Sequence, residues 1–240
     1  MTDLTAPTAD PKAARPARRP DGPNAGILAI VVLVLSIATV ALPALAAGAL
    51  YPSPSASSDA VARYFADHSF SAALTGFLAF GASVPLGIYV ATTYARLLRL
   101  GIRVPGPNIG FFGGIASSVM QGASGLVIWA LSQTASETPG AFVHLVADAA
   151  FALGGFGFAT GAGLLIAGTA VPALILRLTP RWLAWTGLVL AAAGEISFLG
   201  MFWPAFDYLL PVVRFAGLAW LAVVGFTLPR NRHEVPRRGE

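Results

Sequence analysis

The chain has 240 residues, of which 56% are hydrophobic and 11% charged, with a formal net charge of +4 and no cysteine. Ordinary soluble domains carry roughly 25% charged residues, so this composition belongs to a membrane protein. The missing cysteine excludes disulfide scaffolds, thiol redox chemistry, iron-sulfur ligation and cysteine-type zinc sites.

Residues 1–24 carry Pro, Ala, Asp and the basic run Lys12, Arg15, Arg18 and Arg19. They hold too few apolar groups to offset the entropy of ordering a backbone, and are read as a disordered tail. From Ala25 to Leu50 the chain is apolar throughout. A bilayer core of about 30 Å needs about 20 helical residues, so this is a first span. A cleaved signal peptide is the alternative, since a positive segment precedes and Ala44-Leu45-Ala46 offers a small-residue cleavage site; the length of the apolar stretch and of the tail favours the span.

The next segment reads Ser58, Asp59, Ala60, Val61, Ala62, Arg63, Tyr64, Phe65, Ala66, Asp67. Ser58 suits an N-cap, Asp59 the first turn, and Val61, Tyr64 and Phe65 fall on one helical face with Arg63 and Asp67 opposite. The pattern predicts a short amphipathic helix at the outer interface, a lid over the bundle or a ligand-capturing element. Further spans are predicted at about 70–94, 109–133, 148–176, 182–203 and 208–228, making six. Pro85 and Pro172 lie inside two of them and can kink a helix. The stretch from Ala141 to Arg177 would run about 55 Å as one straight helix, so it must tilt, project outward or break near its glycines.

Arg and Lys in short flanking segments gather on the cytoplasmic side of a membrane. Lys12, Arg15, Arg18 and Arg19, then Arg96, Arg99 and Arg103, then Arg177 and Arg181, then Arg230, Arg232, Arg237 and Arg238 fall on one side, thirteen of the 15 basic residues. The other side keeps Arg63 and, within a helix, Arg214. Both termini are therefore expected to be cytoplasmic. The Arg-rich segment 229–240 is a topology anchor that meets anionic lipid, not a nucleic-acid patch.

An exterior helix from Asp59 to Asp67, an arginine loop after the second span and the string Pro180-Arg181-Trp182-Leu183-Ala184-Trp185 before the fifth together carry a resemblance. Over residues 25–228 the chain resembles an uncharacterised family of small bacterial multi-pass membrane proteins. That resemblance implies a fold and a location, and no reaction. Independently of it, Trp182 and Trp185 suit an aromatic belt.

An ionisable group in mid-helix costs about 2.5–3.5 kcal/mol on insertion scales, so each needs a partner or a purpose. Glu195 lies about 12 Å below the outer end of the fifth span and Arg214 about 9 Å below the start of the sixth, at matching depth on antiparallel neighbours joined by a short turn. An ion pair between them is the expectation. Asp148 lies about 10 Å deep with His144 one turn above it. Ser117, Gln121 and Ser124 form a stripe on the third span, with Gln121 near mid-membrane. Small residues on the faces of Asp148, Glu195 and Arg214 turn these groups into the bundle. Gly110 with Gly114 and Gly157 with Gly161 are packing sites by the same logic.

A polar cluster of Glu195, Arg214, Asp148, His144 and Gln121 is thus the one candidate site, either interhelical glue or the lining of an outward-facing cavity for an anionic or zwitterionic ligand, or a proton relay. Bis-histidine haem fails on ligand count, because His68 and His233 lie outside the spans and only His144 remains. The only Lys is in the leading tail, which removes intramembrane Schiff-base chemistry, and no zincin, serine-hydrolase or Walker pattern occurs.

The expected protein is all-α: a six-helix transmembrane bundle over 25–228 in the cytoplasmic membrane, with a short exterior amphipathic helix and tails 1–24 and 229–240 inside. No catalytic residue, cofactor or metal is expected. The partner is the lipid bilayer and not nucleic acid; a protein partner, a small ligand and the oligomeric state stay open. A structural or accessory role without turnover leads, with a small transporter or ligand-binding protein as the alternative and an intramembrane enzyme third, since no nucleophile and base can be named.

Overall fold

A computed structural model describes residues 22–229, and all regular structure among them is helical. The basic tails, residues 1–21 and 230–240, lie outside the described residues, as do the expectations that rest on them. Six segments are long and apolar enough to cross a membrane: Ala25–Ala47, Ser69–Arg99, Pro105–Glu137, Gly140–Ile175, Arg181–Met201 and Pro204–Thr227. The chain is a multi-pass membrane protein by this measure, with the number of spans that the hydropathy pattern predicts.

The helices are α1 (Ala25–Ala47), α2 (Ser58–Asp67), α3 (Ser69–Arg99), α4 (Pro105–Thr134), α5 (Gly140–Ala152), α6 (Phe158–Ile175), α7 (Arg181–Ile196), α8 (Leu209–Pro211) and α9 (Gly217–Thr227). Local chemistry sets their ends. Asn24 caps α1, its side chain accepting from the Gly26 and Ile27 amides, and Gly48 closes it in the left-handed region at φ 66°. Pro105 opens α4 at a first-turn position, where a missing N–H costs nothing. α3 ends with Gly101 at φ 83°, and the Ile102 amide reaches back to the Leu97 carbonyl. α6 ends the same way with Arg177 at φ 53°, the Leu178 amide reaching the Ala173 carbonyl.

α2 is capped one residue earlier than the pattern suggests: Ser57, not Ser58, accepts from the Ala60 amide. Its apolar residues Val61, Tyr64 and Phe65 are buried against Ile128, Leu131, Ala135, Val143 and Ala147, so it lies across helix ends as a lid. One end of the bundle therefore carries α2 with Arg63, and the other gathers Arg96, Arg99, Arg103, Arg177 and Arg181. Exposed Trp182 and Trp185 mark the arginine end, and exposed Phe202, Trp203 and Tyr208 the α2 end.

Around the bundle, α1 packs on α3 and α9, α3 on α4, α4 on α6, and α6 on α7. The fourth span is the centre: 67% of its apolar window is buried, against 28% for α1 at the edge. Close approach runs through glycines. A Cβ on Gly161 would sit 2.6 Å from the Gly113 carbonyl oxygen, and one on Gly168 would sit 2.5 Å from the Gly110 amide nitrogen, so the predicted packing glycines join α4 to α6.

The long fourth span stays one continuous helix, Gly140–Ile175, with a local irregularity where its glycines are. Leu153–Gly157 forms a π turn between α5 and α6, and a second π turn, Val212–Ala216, lies between α8 and α9 in the sixth span. π turns occur as single inserted turns within α-helices, often at functional sites.

Candidate functional site

Arg214 sits in the second of these π turns. A π turn carries one residue more than an α turn, about 100° of extra rotation. Its guanidinium points toward α4 and the fourth span. Nη1 donates to Gln121 Oε1 at 2.9 Å, Nη2 donates to the Gly154 carbonyl, and the Cζ carbon lies 4.3 Å from the centre of the Phe158 ring. Gln121 Nε2 in turn donates to the Ala79 carbonyl of α3 at 3.4 Å.

The Gly154 carbonyl is free to accept because of the first π turn. In an α-helix the Phe158 amide would donate to Gly154, but here it donates to Leu153 and Gly155. Two neighbouring carbonyls on the same helical row also take side-chain donors. Ser124 Oγ donates to Ala150 at 2.7 Å, and Ser117 Oγ donates to Phe158. The stripe read from the sequence as Ser117, Gln121 and Ser124 thus faces the carbonyl row of Ala150, Gly154 and Phe158, reaching it directly at its two ends and through Arg214 in the middle. An unsatisfied carbonyl in a membrane interior costs several kcal/mol, so the donor that Arg214 brings to Gly154 is the contact that counts.

The expected Glu195–Arg214 ion pair is not formed. No carboxylate oxygen of a described residue lies within 4.0 Å of the Arg214 guanidinium. α7 and α9 do meet, but toward the arginine end, where Trp220 Nε1 donates to the Leu183 carbonyl at 2.7 Å and the Trp220 ring fills the space beside Gly187. Nearer the α2 end the π turn has rotated Arg214 away. Glu195 lies against α6 instead: a Cβ on Gly163 would be 2.9 Å from Glu195 Oε1, an oxygen that is buried without a hydrogen-bond partner.

His144 and Asp148 form a third place. Their side chains approach to 3.6 Å, Nε2 to Oδ1, on one face of α5, and His144 Nδ1 is 2.8 Å from Ser58 Oγ of α2. Asp148 is exposed. Of the five predicted residues, Arg214 and Gln121 meet, His144 and Asp148 meet beneath the lid, and Glu195 stands apart. Among the described residues no three His, Asp or Glu side chains converge as metal ligands.

Arg214 and Gln121 close the inner end of a cavity of about 310 Å³. Its walls come from α1 (Ser36, Thr39, Val40, Pro43, Ala44), α3 (Thr75, Ala79), α4 (Gln121, Ser124, Ile128), the fourth span (Ala150, Phe151, Gly154, Gly155) and the sixth (Leu210, Pro211, Arg214, Phe215). Leu50 and Tyr51 stand at the α2 end. Burial first, then the neighbouring Tyr64 and Asp148, hold the Tyr51 phenol above its ordinary pKa, so it stays a neutral hydroxyl there. The Tyr51 ring packs edge-on against Tyr64 and Phe65 of the lid.

Sequence reasoning missed Tyr51, the α1 hydroxyls and one further buried cation. Arg96 is 6% exposed inside α3, with Nη1 donating to the Gly225 carbonyl of α9 at 2.9 Å. The signal was present in the sequence. Pro229 has no N–H to give the Gly225 carbonyl at the end of α9, so that carbonyl needs a donor from elsewhere. The cavity walls gave no comparable sign, because Ser36 and Thr39 read as ordinary span residues. No family model, curated protein or solved structure matches the chain.

Proposed function

We propose that this chain is a ligand-binding protein of the cytoplasmic membrane, both termini inside, which takes a small ligand into the cavity from the outer half of the bilayer. One observation carries the reading: a guanidinium with no carboxylate within 4.0 Å among the described residues borders an apolar cavity of about 310 Å³. Buried charge that only holds helices together comes paired, because an unpaired ion in low dielectric is costly. A cation left unpaired at the end of a cavity is an arrangement that a ligand completes. Pockets of roughly 300–1,000 Å³ with apolar walls and a few convergent polar groups are the usual form of small-molecule sites.

The orientation rests on the basic residues, since Arg96, Arg99, Arg103, Arg177 and Arg181 share the end opposite α2. Placing α2 outside puts the cavity in the outer half, beneath the lid. The resemblance to small bacterial multi-pass proteins agrees with this placement and adds no reaction. A structural role alone is favoured less, because Gln121 and one carbonyl take two of Arg214's five N–H groups and do not neutralise its charge.

The cysteine-free chain makes the test simple. In intact cells, a membrane-impermeant thiol reagent is expected to label Ser53→Cys in the α1–α2 loop, and a small water-soluble one to label Thr39→Cys in the cavity. Ser117→Cys, in a packed and wholly buried position, should resist both. Thr39→Cys as unreactive as Ser117→Cys would refute an accessible cavity, and Ser53→Cys labelled only after lysis would reverse the orientation.

A further inference from the structure

The chemistry lining the cavity narrows what it can hold, and this step rests on the ligand-binding reading above. Arg214 has five N–H groups. One is spent on Gln121 and one on Gly154, so three have no acceptor among the described residues. Three of the hydroxyls around it have spent their protons, and those of Ser36 and Tyr51 remain as neutral groups in the wall. Ser124 donates to the Ala150 carbonyl, Thr75 to the Ser71 carbonyl at 3.0 Å and Thr39 to the Leu35 carbonyl at 2.9 Å. The Gln121 amide is likewise engaged at both atoms. The lining therefore offers one fixed positive charge with donors to spare, and no negative group at all. A cationic head finds no counter-charge there and is repelled by the guanidinium, and an anion has one strong partner.

Charge balance limits the anion. One guanidinium neutralises one negative charge, so a dianionic phosphate monoester would leave a net charge in an apolar cavity. A carboxylate is a compact monoanion whose two oxygens match a guanidinium edge. The volume limits the body. At roughly 30 Å³ of liquid volume per water, about 310 Å³ holds on the order of ten small groups. Two-chain lipids exceed this, and their heads lie at the interface and not below it.

The position of the opening limits the shape. α1 and the sixth span are in backbone contact at the arginine end, where a Cβ on Gly225 would be 2.5 Å from the Gly26 amide nitrogen. They part toward the α2 end, where Ser36, Thr39 and Pro43 face Leu210, Pro211 and Arg214 across the cavity. The cleft is a wedge with its charge deep and its width at the α2 end. A ligand of matching form enters head first and leaves its apolar part between two hydrophobic helices.

We infer that the ligand is an amphipathic monocarboxylate of about ten to fifteen non-hydrogen atoms, its carboxylate on Arg214 and its apolar body between α1 and the sixth span. Decanoate is the probe, with decanol and decyltrimethylammonium as neutral and cationic counterparts and inorganic phosphate as the bare anion. With the full chain in nanodiscs, decanoate is expected to slow labelling of Thr39→Cys at least tenfold. The other three should change it less than twofold. The wild-type chain should give the same ranking as a rise in unfolding temperature, which needs no variant to fold. Arg214→Gln should keep the labelling of Thr39→Cys and lose the protection by decanoate. Equal protection by decanol and decanoate overturns the carboxylate assignment, as does protection by phosphate alone. If Thr39→Cys labels and no amphiphile protects it, the ligand class fails while the cavity stands. If Thr39→Cys does not label at all, the ligand-binding reading itself fails.

Discussion

The seam between α1 and the sixth span has two halves that obey different rules. At the arginine end Gly225 lies against the Gly26 backbone, and the Phe226 ring packs on Gly26. At the α2 end the same two segments present Ser36, Thr39 and Pro43 against Leu210, Pro211 and Arg214, and a cavity of about 310 Å³ separates them. Each half also holds a glycine carbonyl that its own helix cannot satisfy. Gly225 loses its donor because residue 229 is proline, and Gly154 loses its donor to a π turn. An arginine answers both, Arg96 in the closed half and Arg214 in the open one. The lesson is that the same repair serves two ends: packed among helices it completes a structure, and beside an empty volume it leaves charge and donors available.

The comparison breaks most directly at the closed half. Gly225→Leu places side-chain atoms against the Gly26 backbone, which cannot move aside as a flexible side chain can. Overpacking of this kind costs about 1–3 kcal/mol or more, and this site should fall at the upper end, near 3. Thermal unfolding in detergent would measure it beside Gly81→Leu, whose position in α3 has no heavy atom within 4 Å and should change little. Equal effects at the two glycines would mean that the seam is not closed.

The two arginines should then separate in stability. Arg96→Leu strands the Gly225 carbonyl in a packed interior, for a loss of about 1–3 kcal/mol. Arg214→Leu strands the Gly154 carbonyl and Gln121 Oε1, but it also removes a desolvated charge that no carboxylate balances. These terms oppose each other, so its net effect should stay below about 1 kcal/mol. Denaturant titration of both variants in the absence of ligand tests the difference, and an Arg214→Leu loss as large as that of Arg96→Leu would make Arg214 a structural group.

Glu195 supplies a smaller effect with an informative sign. Removing one member of a buried ion pair costs about 3–5 kcal/mol. Glu195 has no such pair, and its buried Oε1 lies unpartnered against Gly163. Glu195→Gln should therefore be neutral or stabilise by up to about 1 kcal/mol. A loss of several kcal/mol in the same unfolding assay would restore a charged partner.

How far this was legible in the sequence depends on which physical period was in play. Span number follows from hydropathy, because burial in lipid acts on every residue of a segment alike, but the limits shift, most at the fourth span, which begins at Gly140 and not near 148. The lid followed from the alternation of Val61, Tyr64 and Phe65 with charge, and the Ser117–Gln121–Ser124 stripe from helical spacing. The length of the fourth span suggested a tilt, a projection or a break near its glycines, and what lies at those glycines is a π turn in an unbroken helix. The partner of Arg214 was not legible. Depth counted at 1.5 Å per residue is insensitive to rotation, whereas a pairing depends on it, and one inserted residue in Val212–Ala216 turned the guanidinium from Glu195 to Gln121. Nothing in Val-Val-Arg-Phe-Ala announces a π turn. Sequential order was a poor guide to contact as well, since α7 packs mainly on α6 and α9 mainly on α1.

The smallest expected effect concerns the lid over the open half. Ser58 is the one hydroxyl of α2 that reaches the fourth span, 2.8 Å from His144 Nδ1, while its neighbour Ser57 is occupied in capping the helix. Ser58→Ala removes a half-buried side-chain hydrogen bond, a net loss of about 0.5–1 kcal/mol. Because α2 keeps Val61, Tyr64 and Phe65 in the apolar contact beneath it, the lid should stay docked and only open more often. Amide exchange in α2 and in the facing turns of α5 should accelerate about two- to fivefold with no change in the α1–α9 contact at Gly26 and Gly225. Ser57→Ala is the control, since it weakens the helix end without touching His144. If Ser57→Ala accelerates exchange in α5 as much as Ser58→Ala does, the Ser58–His144 contact does not hold the lid to the fourth span, and apolar burial alone keeps α2 in place.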